Sequence, residues 1–335
     1  MNTARPEPGA IPSNRFACLS LLAVLLLAAG TAPGRAAPAA DCSKTEVGRI
    51  PLSQPGEWAY QGQGGGLYPG GAMEPPPQQA ALAAQAAAAV QPRAADGQPD
   101  PAGQVVLLSI GMSNATQEYQ RFMALAAAAS GLHPRLKLVD GAQGGQTAVV
   151  IRDPAANFWQ VVQQRLSQAG AAAGQVQAVW LKEANARPTQ PFPSHAQALT
   201  DDLAAIVVLL KERFPNLQLV YLSSRIYAGY ASSNLNPEPY AYESGFSVRW
   251  LIERQLSGAP ELNADPSRGP VRSPVLLWGP YLWADGLRPR PEDGLTWACA
   301  DFAEDGTHPA DSGRAKVAGL LLNFFRESPS SRPCL

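Results

Sequence analysis

The chain has 335 residues, with 26 Lys and Arg against 27 Asp and Glu, a formal net charge of -1. A balance this near zero excludes a broad nucleic-acid surface, because phosphate binding needs clustered cations. Apolar residues make up 46 % and charged residues 16 %, which supports a real core, in one large domain or two small ones, and excludes a wholly disordered chain.

At the N-terminus, Arg5 and Arg15 precede an apolar run over 16–29, followed by small residues at 36–40. The run is shorter than the roughly 18 or more residues of a membrane-spanning helix. The pattern predicts a cleaved secretory signal over 1–40, cut near Ala39 or Ala40, and a secreted or periplasmic mature protein without a membrane span. An uncleaved anchor is the other reading of the segment. Cleavage removes Cys18 and leaves Cys42, Cys299 and Cys334. Export makes a disulfide plausible, and Cys299 with Cys334, which flank the last predicted helix, is the favoured pair. No C-x-x-C motif or histidine cluster suggests a metal site.

Residues 41–103 lack sustained periodicity and are rich in Gly and Pro, with an Ala/Gln tract from Gln78 to Val90. Gly and Pro at this density oppose regular structure, although the Ala tract suits one helix. The segment reads as an extension packing partly on the main domain, or else as a disordered linker.

From Gln104 onward short apolar runs alternate with helical patterns. Strands are predicted over 105–110, 136–139, 176–181, 217–222 and 274–278. A helix is expected after Ser113, running to Gly131. Another is expected behind Asp153 as N-cap and Pro154 at the first position, with Phe158, Val161, Val162 and Leu166 on one face. Ser194 suits the cap of the next helix, which Pro215 ends, and Asp311 that of the last. Alternating strands and helices imply a parallel sheet covered on both faces, with the active site beyond the carboxyl ends of the strands. The 104–335 segment is therefore an α/β domain with a five-stranded parallel sheet. The stretch between Leu222 and Pro274 carries no recognised function.

Three strand ends hold polar chemistry. The first reads Gly111-Met112-Ser113-Asn114, which puts a serine at a helix start, where free amides favour an oxyanion. The bland alternative is a capping serine. The second reads Asp140-Gly141-Ala142-Gln143-Gly144-Gly145, whose glycines let backbone amides approach a ligand closely. The third ends in Glu183-Ala184-Asn185, where an Asn side chain can donate to an oxyanion or simply make a turn. Of the three histidines, His133 lies at the opposite sheet end, and His195 opens a helix and reads as capping or solvated. His308 stands three residues after Asp305, so a turn lets the carboxylate orient one ring nitrogen while the other faces a nucleophile. Asp301 and Glu304 are competing partners without that tight spacing.

In this order, Gly111-x-Ser113-Asn114, the glycines up to Gly145, Asn185, and Asp305-x-x-His308 before Pro309 resemble the SGNH (GDSL-type) hydrolase superfamily. The resemblance covers roughly 104–326. It departs from the family at Met112, where an Asp is usual, and around Asn185, which lacks the usual preceding Gly and following Asp. Gly-x-Ser-Asn and Trp180 on the third strand look closer to the sialate O-acetylesterase and acetylxylan esterase branches, which act on acetylated sugars. The resemblance implies a three-layer α/β/α sandwich of flavodoxin type. It also implies hydrolysis of esters or related acyl bonds without metal or organic cofactor. Carried onto this chain, it makes Ser113 the nucleophile, His308 the base and Asp305 its orienting acid. The Ser113 and Gly145 amides (Gly144 if the register differs by one) and the Asn185 side chain become the oxyanion donors. Asn114, Trp278 and Trp283 are expected to bind substrate, the tryptophans as aromatics near the crevice. Ordinary core packing is the competing reading for Trp278, Tyr281, Trp283 and Trp297. The expected partner is a small-molecule or glycan ester, and the low charge suits a neutral substrate better than a polyanion. The same site could serve a glycan O-acyltransferase, and the same fold a non-catalytic carbohydrate-binding protein.

Overall fold

A computed structural model describes residues 39–331. The expected signal peptide, apart from its last two residues, and Cys334 therefore lie outside the described residues.

The N-terminal part forms a small hairpin, β1 (Ala59–Tyr60) and β2 (Gln63–Gly64), and a helix, α1 (Pro77–Ala88). Next come β3 (Val105–Gly111), α2 (Ser113–Ala127), β4 (Leu136–Asp140), the single turn α3 (Ala148–Ile151) and α4 (Asn157–Gln168). The chain continues through β5 (Val176–Lys182), α5 (Ser194–Arg213), β6 (Leu219–Leu222), α6 (Tyr240–Leu256), β7 (Val275–Trp278) and α7 (Asp311–Glu327). Strands β3 to β7 form one five-stranded sheet in the order β4-β3-β5-β6-β7, every pair parallel. Every residue of β3, β5, β6 and β7 is buried, which is why these runs are mostly apolar rather than alternating. Right-handed crossovers put α2 and α7 on one face and α4, α5 and α6 on the other. The helices accordingly pack α2 on α7 and α5 on α6. The crossovers diverge on either side of β3, so the crevice lies at its carboxyl end.

Several helix starts differ from expectation. Asp153 does not cap α4; its carboxylate accepts the Ala155 N–H at 2.8 Å in the preceding turn, and the helix begins at Asn157. Its buried face includes Trp159 in place of Val161. Ser194 and Asp311 are the first helical residues rather than caps. Helix α6 was not anticipated. Twelve of its residues are buried, spread around the whole helix from Ala241 to Gln255, so it shows no amphipathic stripe.

Residues 39–103 are built onto the domain. Helix α1 buries Ala83, Ala86 and Ala87 and covers the edge strand β7, whose main chain would otherwise be open to pairing. Gln79 Nε2 donates to the Leu276 carbonyl at 2.7 Å, and Leu52 is wholly buried. Asp285 accepts the Val47 and Arg49 N–H groups at 2.8 and 3.1 Å. The disulfide joins Cys42 to Cys299, with α-carbons 5.4 Å apart, and not Cys299 to Cys334 as expected. The reason is tertiary: the extension runs beside the Cys299 turn, where the Ala40 N–H also reaches the Glu304 carbonyl at 2.6 Å. Among the described residues no helix is long and apolar enough to cross a membrane.

Candidate active site

Leaving β3, the chain presses against β5. A β-carbon on Gly111 would lie 2.4 Å from the Lys182 carbonyl oxygen and 2.5 Å from the Ala115 β-carbon, so only glycine fits. Met112 is extended and Ser113 is the first residue of α2. The Ser113 hydroxyl does not cap the helix. It lies 2.8 Å from His308 Nε2, above the free amides of the helix start.

The partner turn precedes α7. Asp305 Oδ1 accepts the Thr307 and His308 N–H groups, each at 3.0 Å, and Oδ2 lies 2.5 Å from His308 Nδ1. Gly306 has φ +63°, and a β-carbon there would lie 2.1 Å from the Tyr230 carbonyl oxygen. Burial pushes the Asp305 carboxyl up, but the hydrogen bonds from His308 and Thr307 outweigh it and hold the group below its usual range. The competing acid Asp301 is occupied elsewhere, 2.5 Å from Lys316 Nζ and accepting the Ala298 N–H at 2.8 Å.

The glycine loop after β4 is fixed by Asp140. Its Oδ1 accepts the Ser109 hydroxyl at 2.7 Å and the Ala142 N–H at 3.1 Å, and its Oδ2 is held by Thr116 and Gln120. Sequence reasoning gave Asp140 no role. The one available signal was an acid at the head of a Gly-rich turn. Gly144 faces the nucleophile: a β-carbon on it would lie 3.8 Å from the Ser113 β-carbon, whereas Gly145, at φ +75°, has open space around it.

Asn185 follows β5, but its amide is engaged. Oδ1 accepts the Val149 N–H at 2.9 Å and Nδ2 donates to Asp202 at 2.6 Å, leaving one N–H unassigned. Asn114 is not at the substrate surface. It is buried, and its Nδ2 donates to the Thr307 carbonyl at 3.0 Å, tying the nucleophile helix to the acid–base turn. The two tryptophans are core residues as well. Trp278 donates to the Leu67 carbonyl at 2.6 Å and Trp283 to Glu238 at 2.8 Å, and both are buried. Their indoles anchor the extension and the loop before α6, which explains why they do not reach the crevice.

Of the other histidines, His133 lies where expected, whereas His195 neither caps its helix nor is solvated. His133 accepts the Arg135 N–H at 3.1 Å in the turn into β4, far along the sheet from Ser113. His195 is packed in the protein, its ring edge-on to Tyr240. Its Nε2 lies 3.2 Å from a Glu243 oxygen without making a hydrogen bond to it.

Beneath the crevice, Lys182 and Glu118 form an ion pair at 2.6 Å with neither side chain more than 1 % exposed. Burial lowers Lys182 to about 8 and raises Glu118, each against the attraction of the other. Next to them Glu183 is also buried, and burial raises its pKa well above the usual carboxylate range. Among the described residues no group of three His, Cys, Asp or Glu side chains could hold a metal ion.

No family profile matches the sequence, and no curated protein matches it. Solved structures do show similarity. A Bacillus subtilis protein matches at 13 % identity over 68 % of this chain and 58 % of its own length, with a TM-score of 0.36. A Bacteroides fragilis protein assigned as an acylhydrolase matches at 12 % identity over 78 % and 100 %, with a TM-score of 0.40. The periplasmic domain of a lipopolysaccharide acetyltransferase from Salmonella Paratyphi A matches at 13 % identity over 66 % and 83 %, with a TM-score of 0.37.

Proposed function

We propose that this chain is an exported serine esterase of the SGNH type, hydrolysing an O-acyl or O-acetyl ester through an acyl-enzyme. The observation that carries the reading is the hydrogen-bonded chain Ser113 Oγ–His308 Nε2–His308 Nδ1–Asp305 at 2.8 and 2.5 Å, at the carboxyl end of a parallel sheet. That short contact counts against the binding-only alternative, which has no need of a base against the serine. Export is supported by the Cys42–Cys299 disulfide, since such bonds persist in oxidising compartments.

In the mechanism, Ser113 Oγ attacks the ester carbonyl and passes its proton to His308 Nε2. Asp305, ionised and hydrogen-bonded to Nδ1, fixes the ring orientation and stabilises the imidazolium. The oxyanion is met by the amides of Ser113 and of the Gly144–Gly145 loop, and by the remaining N–H of Asn185. His308 then protonates the departing alcohol. Water, deprotonated by the same ring, attacks the acyl-serine and releases the acid.

The test is hydrolysis of p-nitrophenyl acetate by the full chain and by Ser113→Ala and His308→Asn. Each substitution is expected to lower kcat/KM by at least about 10³-fold. Unchanged hydrolysis by Ser113→Ala would show that the activity resides elsewhere. Removing one oxyanion donor costs about 10²–10³ in rate, the loss expected of Asn185→Ala.

A further inference from the structure

A cavity of about 210 Å³ lies beside Asn185, walled by Leu199, His195 and Tyr240 and rimmed by Arg187 and Asn236. It belongs to the same end of the sheet as the triad. Residues 232–236 run from one to the other: the Ser232 N–H reaches the Asp305 carbonyl at 3.2 Å and the Ser233 hydroxyl lies 3.3 Å from that of Thr307. At the far end of this strip, Asn236 Nδ2 donates to the Asn185 carbonyl at 3.0 Å, and the Arg187 N–H reaches the Leu235 carbonyl at 2.8 Å.

Two features of Arg187 stand out. Its φ is +54°, a conformation that non-glycine residues seldom adopt and that clusters where a site requires it. Its side chain is exposed and takes part in no ion pair among the described residues. The cavity lining contains no Asp or Glu. The acids behind it are already committed: Asp202 pairs with Arg152 at 2.6 Å and accepts from Asn185, and Glu243 is bonded by the Tyr60 hydroxyl. Burial lowers the His195 pKa, so Arg187 supplies the positive charge at the cavity. In a chain with a small excess of acid, the cavity is locally cationic.

We propose that this cavity receives the alcohol half of the ester, and that Arg187 selects alcohols bearing an anionic group, a carboxylate or a phosphate. The assignment to the alcohol half rests on the esterase reading of Ser113. A guanidinium matches either anion with paired hydrogen bonds. An apolar cavity of about 150 Å³ accepts a benzene ring, so this one has room for a single six-membered ring against Tyr240. A single anion on a compact alcohol is compatible with the near-neutral chain, whereas a polyanion is not.

The probes are phenyl acetate, 4-acetoxybenzoate and 4-acetoxyphenyl phosphate, with the full chain and its Arg187→Gln and Arg187→Lys variants. The expected result is a kcat/KM about tenfold higher for one or both anionic acetates than for phenyl acetate at low salt, shrinking as salt screens the exposed charge. The two anionic arms tell carboxylate from phosphate. In Arg187→Gln the ratio of anionic to neutral rates should fall to near one, and Arg187→Lys should restore part of it. Calorimetric binding of 4-hydroxybenzoate and of phenol gives a readout independent of turnover. Equal rates or equal binding for charged and neutral probes in the wild type, or a ratio unmoved by Arg187→Gln, would overturn the proposal. Arg187-dependent binding of 4-hydroxybenzoate without hydrolysis of any acetate would uphold the anion site and sink the esterase reading instead.

Discussion

Ser113 stands where a capping serine would be unremarkable, and its partner decides the matter. Its hydroxyl is 2.8 Å from His308 Nε2 and makes no bond to the helix amides. Asn114, one residue on, shows how the second layer works: its Nδ2 bond to the Thr307 carbonyl at 3.0 Å fixes the helix start against the turn that carries the base. Asn114→Ala should lower kcat on p-nitrophenyl acetate by about tenfold with little change in KM, and cost about 1–3 kcal/mol in urea unfolding by leaving a buried carbonyl unpaired. A loss of stability with kcat unaltered would make Asn114 a packing residue only. Ser113, Asp305 and His308 were legible in the sequence because a strand-end Gly-x-Ser and a three-residue Asp–His spacing are local patterns. Asn114, Trp278 and Trp283 were not, because their hydrogen-bond partners lie 193, 211 and 45 residues away in the chain.

At the scale of elements, the five strands stand where apolar runs put them, since a strand buried on both faces has little freedom in composition. Helix α6 was illegible for the same reason: burial around its whole circumference removes the polar face that periodicity detects. Strand β5 and helix α2 are joined by the Lys182–Glu118 pair, which holds the nucleophile helix on the sheet without a water-accessible atom to spare. Breaking one partner of such a pair costs about 3–5 kcal/mol, whereas replacing both by apolar groups is often close to neutral. Lys182→Met and Glu118→Leu should therefore each destabilise the chain by that amount, and the double variant by clearly less than either. Urea unfolding of the three variants checks this, and additive losses would contradict it.

At the scale of the whole molecule, residues 39–103 act as part of the domain. They cover the edge of β7, accept the Trp278 indole and carry one half of the Cys42–Cys299 disulfide, which spans 257 residues of sequence. Composition marked this segment as rich in Gly and Pro but could not say that it docks, because its contacts are made by scattered side chains such as Leu52, Tyr68 and Gln79 rather than by a periodic face. Substituting both Cys42 and Cys299 by Ser should cost about 2–4 kcal/mol in stability. Cys334→Ser should cost none; the reverse order of effects would reassign the disulfide. Loss of the bond should leave the triad turn in place, since Asp305 and His308 are held by their own backbone hydrogen bonds.

The most direct measurement of the central claim is covalent labelling of the full chain by a fluorophosphonate, read by intact mass and peptide mapping. The account predicts one adduct, on Ser113, absent from Ser113→Ala and strongly slowed in His308→Asn. An adduct on another residue, or labelling of Ser113→Ala at the wild-type rate, would contradict it.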